Sequence, residues 1–147
     1  MATLKVTISE QLTLEGVDRS SSRVHDIESV TQVDNRIVSV TTSEADLVKI
    51  DSAVASGTFV ASSVKYLRIS HISDSNTLTL RILGSSEEYA VRLEAGDSFI
   101  LNNSSMDADE DSSASPYTPM TIAFNDISEI RAVSSGSTIV TEIFVAA

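Results

Sequence analysis

Residues 3–8 read Thr-Leu-Lys-Val-Thr-Ile, which places Leu4, Val6 and Ile8 on one face and Thr3, Lys5 and Thr7 on the other. A period of two predicts a half-buried strand. Leu12 and Leu14 repeat the pattern and Gly16 ends it. Residues 16–26, rich in serine and charge, read as a polar loop. A short strand follows within 26–33. Asp34 and Asn35 read as a turn, and the chain then runs extended from Ile37 to Thr42. Further short strands are expected at 45–50 and 58–60. A helix over 43–56 is disfavoured by its serines and β-branched residues, with Gly57 directly after it.

The clearest pattern lies in the middle of the chain. Val64–Ile72 reads as one strand, and Asp74, Ser75 and Asn76 are residues that favour turns. Leu78, Leu80 and Ile82 then alternate with Thr77, Thr79 and Arg81, the signature of a hairpin. Residues 84–88 read as a second turn. Tyr89, Val91 and Leu93 point inward from a third strand. Gly96 supplies a positive φ at a third turn, before Ser98–Leu101. Residues 64–101 are therefore expected to form a four-strand meander. Residues 102–119 hold four acids, no base and both prolines, and read as a long surface excursion. Three extended segments follow, at 120–124, 127–133 and 138–145.

About eight to ten short strands with regular turns predict an all-β fold, an antiparallel β-sandwich or barrel. Eight core strands in two sheets would make a jelly roll, the preferred form. The absence of an internal repeat argues against propellers and solenoids. Composition agrees: 15 Val, 13 Ile and 13 Thr supply the β-branched residues suited to pleated sheets. With 147 residues, 1–147 is expected to be a single domain that closes on burial alone, because the chain has no cysteine.

Charge and the opening residues narrow the partners. Twenty-one acids against ten bases give −11, a surface that repels phosphate backbones, so no nucleic-acid partner is expected. The first ten residues carry no basic-then-apolar leader, and no apolar run approaches the roughly 18 residues of a span, so no membrane partner is expected. The expectation is a soluble protein made in the cytoplasm.

Candidate chemistry is sparse. Arg68, Arg81 and Arg92 lie in three successive strands and could line up to bind an anion or a partner's carboxylates. Equally, they could balance Glu87, Glu88 and Glu94 across strands. His25 and His71 are the only histidines, and neither sits in a nucleophile-elbow or metal-binding spacing. No catalytic residue, cofactor or metal ligand is assigned, and no enzymatic activity is expected. Asp107, Asp109 and Asp111 have the alternate spacing of a calcium loop. The glycine and glutamate such a loop needs are replaced by Ser112 and Thr118. A sugar-stacking platform needs displayed aromatics. Tyr66, Tyr89, Phe99 and Phe124 fall at core positions, leaving Tyr117 as the displayed one.

The stretch 64–101, with residues 36–42 before it, resembles small all-β virion proteins of tailed marine bacteriophages. The matching positions are Tyr66, Leu67, Arg68, Ile69, Asp74, Asn76, Leu80, Arg81, Ile82, Val91, Leu93, Gly96, Ser98 and Phe99. Each also has a reading as strand, core or turn. The resemblance implies a structural protein of the particle. Within that class the expectation is a capsid decoration, or cement, protein on the outer surface of the head. It would be made in the host cytoplasm, assemble as a homotrimer and bind the major capsid protein. Arg68, Arg81 and Arg92 and the N-terminal strand residues Leu4, Val6 and Ile8 are the interface candidates. A neck, tail or fibre-attachment component and a carbohydrate-binding module remain as alternatives.

Overall fold

The computed structural model describes residues 2–51, 58–60, 63–84, 88–102, 105–106 and 125–147. Among them the chain runs through fifteen extended segments in the order β1 (Ala2–Glu10), β2 (Thr13–Leu14), β3 (Val17–Asp18), β4 (Ser21–Val30), β5 (Val33–Val40), β6 (Ala45–Asp51), β7 (Thr58–Val60), β8 (Tyr66–His71), β9 (Leu78–Leu83), β10 (Glu88–Leu93), β11 (Ser98–Leu101), β12 (Ser105–Met106), β13 (Asn125–Asp126), β14 (Glu129–Ser134) and β15 (Ile139–Ala146). Nine of them form two sheets, a five-stranded one ordered β10-β9-β14-β6-β7 and a four-stranded one ordered β11-β8-β15-β5. All neighbours are antiparallel except β6 and β7, which run parallel. The fold is an all-β sandwich, as the alternation predicts. The segment 120–124 and most of the 102–119 excursion, with Asp107, Asp109, Asp111 and Tyr117, lie outside the described residues.

The core is one contiguous cluster between the sheets. The four-stranded sheet contributes Leu67 and Ile69 from β8, Ile143 and Val145 from β15, and Val40 from β5. The five-stranded sheet answers with Leu78, Leu80 and Ile82 from β9 and Ile130 and Ala132 from β14. Strict alternation makes each strand bury one face and solvate the other, as the buried-exposed rhythm of β9 and β14 shows.

The expected meander over 64–101 is not what forms. β9 and β10 do make a hairpin, with Leu80 opposite Val91. β8 instead pairs with β11 and β15 in the other sheet. The segment 72–77 is thus an arch that carries the chain from one sheet to the other. Residues 94–97 and 135–138 are also arches. The reason is burial: β8 and β9 both carry a fully buried face, Leu67-Ile69-His71 and Leu78-Leu80-Ile82, and opposite sheets let those faces meet across the core.

The arches are stitched together at one end of the sandwich. Asn76 adopts φ 62°, and its Nδ2 donates to Ser137 Oγ at 2.9 Å. Thr77 N donates to Ser135 Oγ at 3.0 Å and Ser135 N to Thr77 O at 3.0 Å. A Cβ at Gly136 would overlap the Asn76 carboxamide, so this position admits no side chain without displacing the stitch. At the neighbouring arch Gly96 takes the expected positive φ, 87°, and its N donates to His71 O.

Residues 2–30 depart most from expectation. The polar stretch 16–26 is not a loop. It is the return half of a long two-stranded ribbon, β1 and β2 going out, β3 and β4 coming back. One register holds from Leu4↔Ile27 through Glu10↔Ser21 to Leu14↔Val17. The tip turns on Glu15 (φ 51°) and Gly16 (φ 78°), the pair of positive φ values that a two-residue hairpin requires. The loop reading failed because this strand has solvent on both sides for much of its length, so alternation does not mark it.

Gly136→Ala should destabilise the chain by about 1–3 kcal/mol, the cost of forcing a group into an occupied position. Chemical denaturation checks it, and an unchanged midpoint would show that the Asn76 stitch contributes nothing.

Candidate functional site

The ribbon base is fixed to the body. Leu4, Val6 and Ile27 pack on Tyr66, Ala146 and Phe144 of the outer face of the four-stranded sheet, where Tyr66 and Phe144 meet edge to face at 6.0 Å. Between Ala2↔Val30 and Leu4↔Ile27 the register slips by one, and Ser29 takes φ 59° there. Such a bulge bends a strand and re-aims it. Lys65 Nζ donates to Glu28 O and Ser29 O at 3.0 and 2.7 Å, holding the bulge from the body. The β5 entry is fixed too, by Thr31 N and Gln32 N donating to Ala147 O.

Past Val6 the ribbon leaves the body. Residues 7–14, at about 3.3 Å each, carry the tip roughly 26 Å outward. Register and alternation place Ile8, Leu12 and Leu14 with Val17 on the same face as Leu4, Val6 and Ile27. They are solvent-exposed: Ile8 50%, Leu12 54%, Leu14 56% and Val17 51%. Arg19, Arg23, His25 and Glu10 share that face. The opposite face carries Thr3, Lys5, Thr7, Ser9, Thr13, Ser22 and Asp26, with Val24 as its one large apolar residue. The arm is amphipathic, and among the described residues nothing covers its distal apolar half.

Of the expected interface residues, Leu4 and Val6 are therefore engaged within the chain and Ile8 is not. Leu12, Leu14 and Val17 extend the surface beyond what was expected. Leu12 and Leu14 had the strand alternation in sequence. Val17 carried no signal, because it is recognisable only once the register is known.

The three expected arginines are not brought together. Arg68 lies on the outer face of the four-stranded sheet, where it binds Glu142 at 2.8 Å and donates to Ser70 Oγ. Arg81 and Arg92 lie on the outer face of the five-stranded sheet, on the far side of the core. Arg81 is held between Glu44 (2.8 Å) and Glu88 (2.5 Å), which raise its pKa above the ordinary value, Glu88 foremost. Arg92 reaches Glu94 at 3.6 Å. Sequence reasoning missed Arg131, which stands directly opposite Arg81 in the ladder. Two like charges face to face need counter-charge. Arg131 finds it in Glu129 (3.0 Å), which raises its pKa, and in Asp46 at 3.2 Å from its Nε. The arginines of this face are absorbed by carboxylates of their own sheet and its flanking turns.

The histidines are far apart in role. His25 is exposed on the arm opposite Val6. His71 is fully buried at the end of β8, with Nε2 3.2 Å from Asn76 O. Among the described residues, its Nδ1 and the hydroxyl of Thr141, its cross-strand partner, find no hydrogen-bond partner. A proton on Nε2 is donated to the Asn76 carbonyl oxygen, which ties the ring into the arch. A groove of about 530 Å³ runs beside it, lined by Ser70, Ile72, Ser73, Asp74, Ala95 and Gly96. A second groove, about 340 Å³, opens between β5 and β6, where Arg36 pairs with Asp34 at 2.9 Å and donates to Leu47 O.

Two measurements follow from these contacts. Thr141→Val replaces an unpartnered buried hydroxyl with a methyl and should leave stability unchanged or raise it by about 1 kcal/mol. A loss of that size would mean the hydroxyl is bonded in solution. Asp46 is held below its usual 3.8, first by its hydrogen bond with Glu129, with Lys49 and Arg131 adding to the effect. A depressed folded value means stabilisation that is present above 3.8 and lost as pH falls through the folded value. Asp46→Asn should therefore show a smaller fall in Tm than the parent chain between about pH 5 and about pH 2. Identical profiles would place the acid loss elsewhere. Compared with protein families, with curated proteins and with solved structures, the chain has no match.

Proposed function

We propose that the chain is a virion structural protein, a decoration or cement protein that stabilises a bacteriophage head shell by contacts with the major capsid protein. The observation that carries this reading is the arm: an amphipathic ribbon reaching roughly 26 Å from a body whose arginines are spent on internal ion pairs. A projecting ribbon with exposed Ile8, Leu12, Leu14 and Val17 is a device for joining neighbours, since such an apolar face gains free energy only when another surface covers it. The resemblance of residues 36–101 to virion proteins of tailed marine phages supplies the particle. The strand orders support the jelly-roll form of the sandwich. β5-β15-β8-β11 facing β6-β14-β9-β10 is a pair of interleaved Greek keys, with β7 added beyond β6. That fold is common in viral shells, an analogy that raises the reading without carrying it.

In this reading cementing is multivalent binding. Each subunit's contact with the shell is modest, and a homotrimer engaging three sites multiplies affinity through effective concentration. The stability gained passes to the shell, because a ligand that binds only the assembled form shifts assembly toward it. The body faces outward with its acidic surface.

Imaging of the particle that carries this chain tests the proposal. Density for the sandwich repeated over the shell at three-fold positions is the expected result. Density confined to the portal axis or tail would replace cementing with a neck or tail role. No particle density, with glycan binding by the isolated chain, would replace it with carbohydrate recognition.

A further inference from the structure

We infer that the distal arm docks on the outer face of the four-stranded sheet of a second copy of this chain, so that copies join by closed exchange of arms. The inference rests on the reading of the chain as an assembly protein and names the arm's first partner. Three observations carry it.

The first is continuity. The proximal half of the arm's apolar face already packs on this sheet face, through Leu4, Val6 and Ile27 on Tyr66, Phe144 and Ala146. The distal half, Ile8 to Val17, is the same face continued, so the surface that suits one half is of the kind that suits the other. The second is vacancy on the receiving side. In the rows Ile100-Arg68-Phe144-Asn35 and Ser98-Ser70-Glu142-Ile37, Phe144 is the apolar residue that packs against the own arm. Ile37 is 68% exposed and Ile100 44%, and the Arg68–Glu142 pair between their strands is already neutral. Among the described residues one chain thus displays both an unpartnered apolar ribbon and a sheet face whose exposed Ile37 and Ile100 its own arm leaves uncovered.

The third is area. A two-stranded face about 10 Å wide and 26 Å long covers roughly 260 Å², or about 500 Å² counting both surfaces. One such contact falls short of the roughly 1,000 Å² that a specific interface needs. Closed exchange, in which every copy gives one arm and receives one, supplies each copy with two. A foreign partner holding a single arm would supply one.

Sedimentation velocity on the full chain reads the result. A closed oligomer that falls to monomer mass in Leu12→Asp and equally in Ile37→Asp is expected, while Thr7→Asp on the polar face leaves the mass unchanged. All three positions are exposed, and an unchanged Tm shows that the variants fold. Because the chain has no cysteine, chains carrying Leu12→Cys mixed with chains carrying Ile37→Cys should cross-link on oxidation as mixed pairs. A monomeric parent chain, or an oligomer indifferent to both aspartates, would overturn the inference. A monomer that still decorates shells through its arm overturns the exchange and keeps the proposed function. An arm-exchanged oligomer that no particle contains keeps the exchange and removes the proposed function.

Discussion

Burial of four apolar strand faces against one another governs the rest of the structure. β8, β9, β14 and β15 each present residues with no solvent exposure, among them Leu67, Ile69, Leu80, Ile82, Ile130 and Ile143. Laid side by side in one sheet, those faces would leave half the interior uncovered. Divided between two sheets, they close on each other at the usual spacing of stacked sheets. The arches follow from this division. So do the small hydroxyl and carboxamide groups that fill them, for an arch must satisfy backbone groups that no ladder neighbour reaches. Asn76, Ser135 and Ser137 do this at one end, and Asp97 caps Glu94 N in the adjacent turn.

The two outer faces then diverge. The five-stranded sheet exposes a ladder in which Arg81 and Arg131 stand opposite each other among four carboxylates. Individually such exposed pairs are worth little. Collectively they leave no uncommitted cation among the described residues of this face, which suits water and suits an anionic ligand poorly. The four-stranded sheet exposes Ile37 and Ile100 and seats the arm. Polarity across the sandwich is thus set by which strands neighbour β8, since Arg68 is the one candidate arginine that the crossing placed on the apolar side.

Strand identity was legible where one face is buried. Leu78, Leu80 and Ile82 alternate against Thr79 and Arg81, and the core uses them as written. Which strands pair was not legible, because a turn such as Asp74-Ser75-Asn76 serves a hairpin and an arch equally well. The difference lies in contacts to Ser135 and Ser137, some sixty positions away. The return strand of the arm was hidden for the opposite reason. Among the described residues Ser21, Ser22 and Arg23 meet only β1, so no burial imprints a period on them. Arg131 was overlooked because nothing nearby in sequence shows that it will face Arg81.

The constant register of the arm has a consequence for how its length can vary. An extra residue in one strand makes a bulge. One extra residue in each strand keeps the pairing but turns everything beyond it over, sending Leu12, Leu14 and Val17 to the threonine side. Only two added or removed from each strand preserve a single apolar face. The reach of the arm is therefore quantised, in steps of about 7 Å and four residues of chain. Related chains that bridge different gaps should carry arms whose lengths differ by that unit.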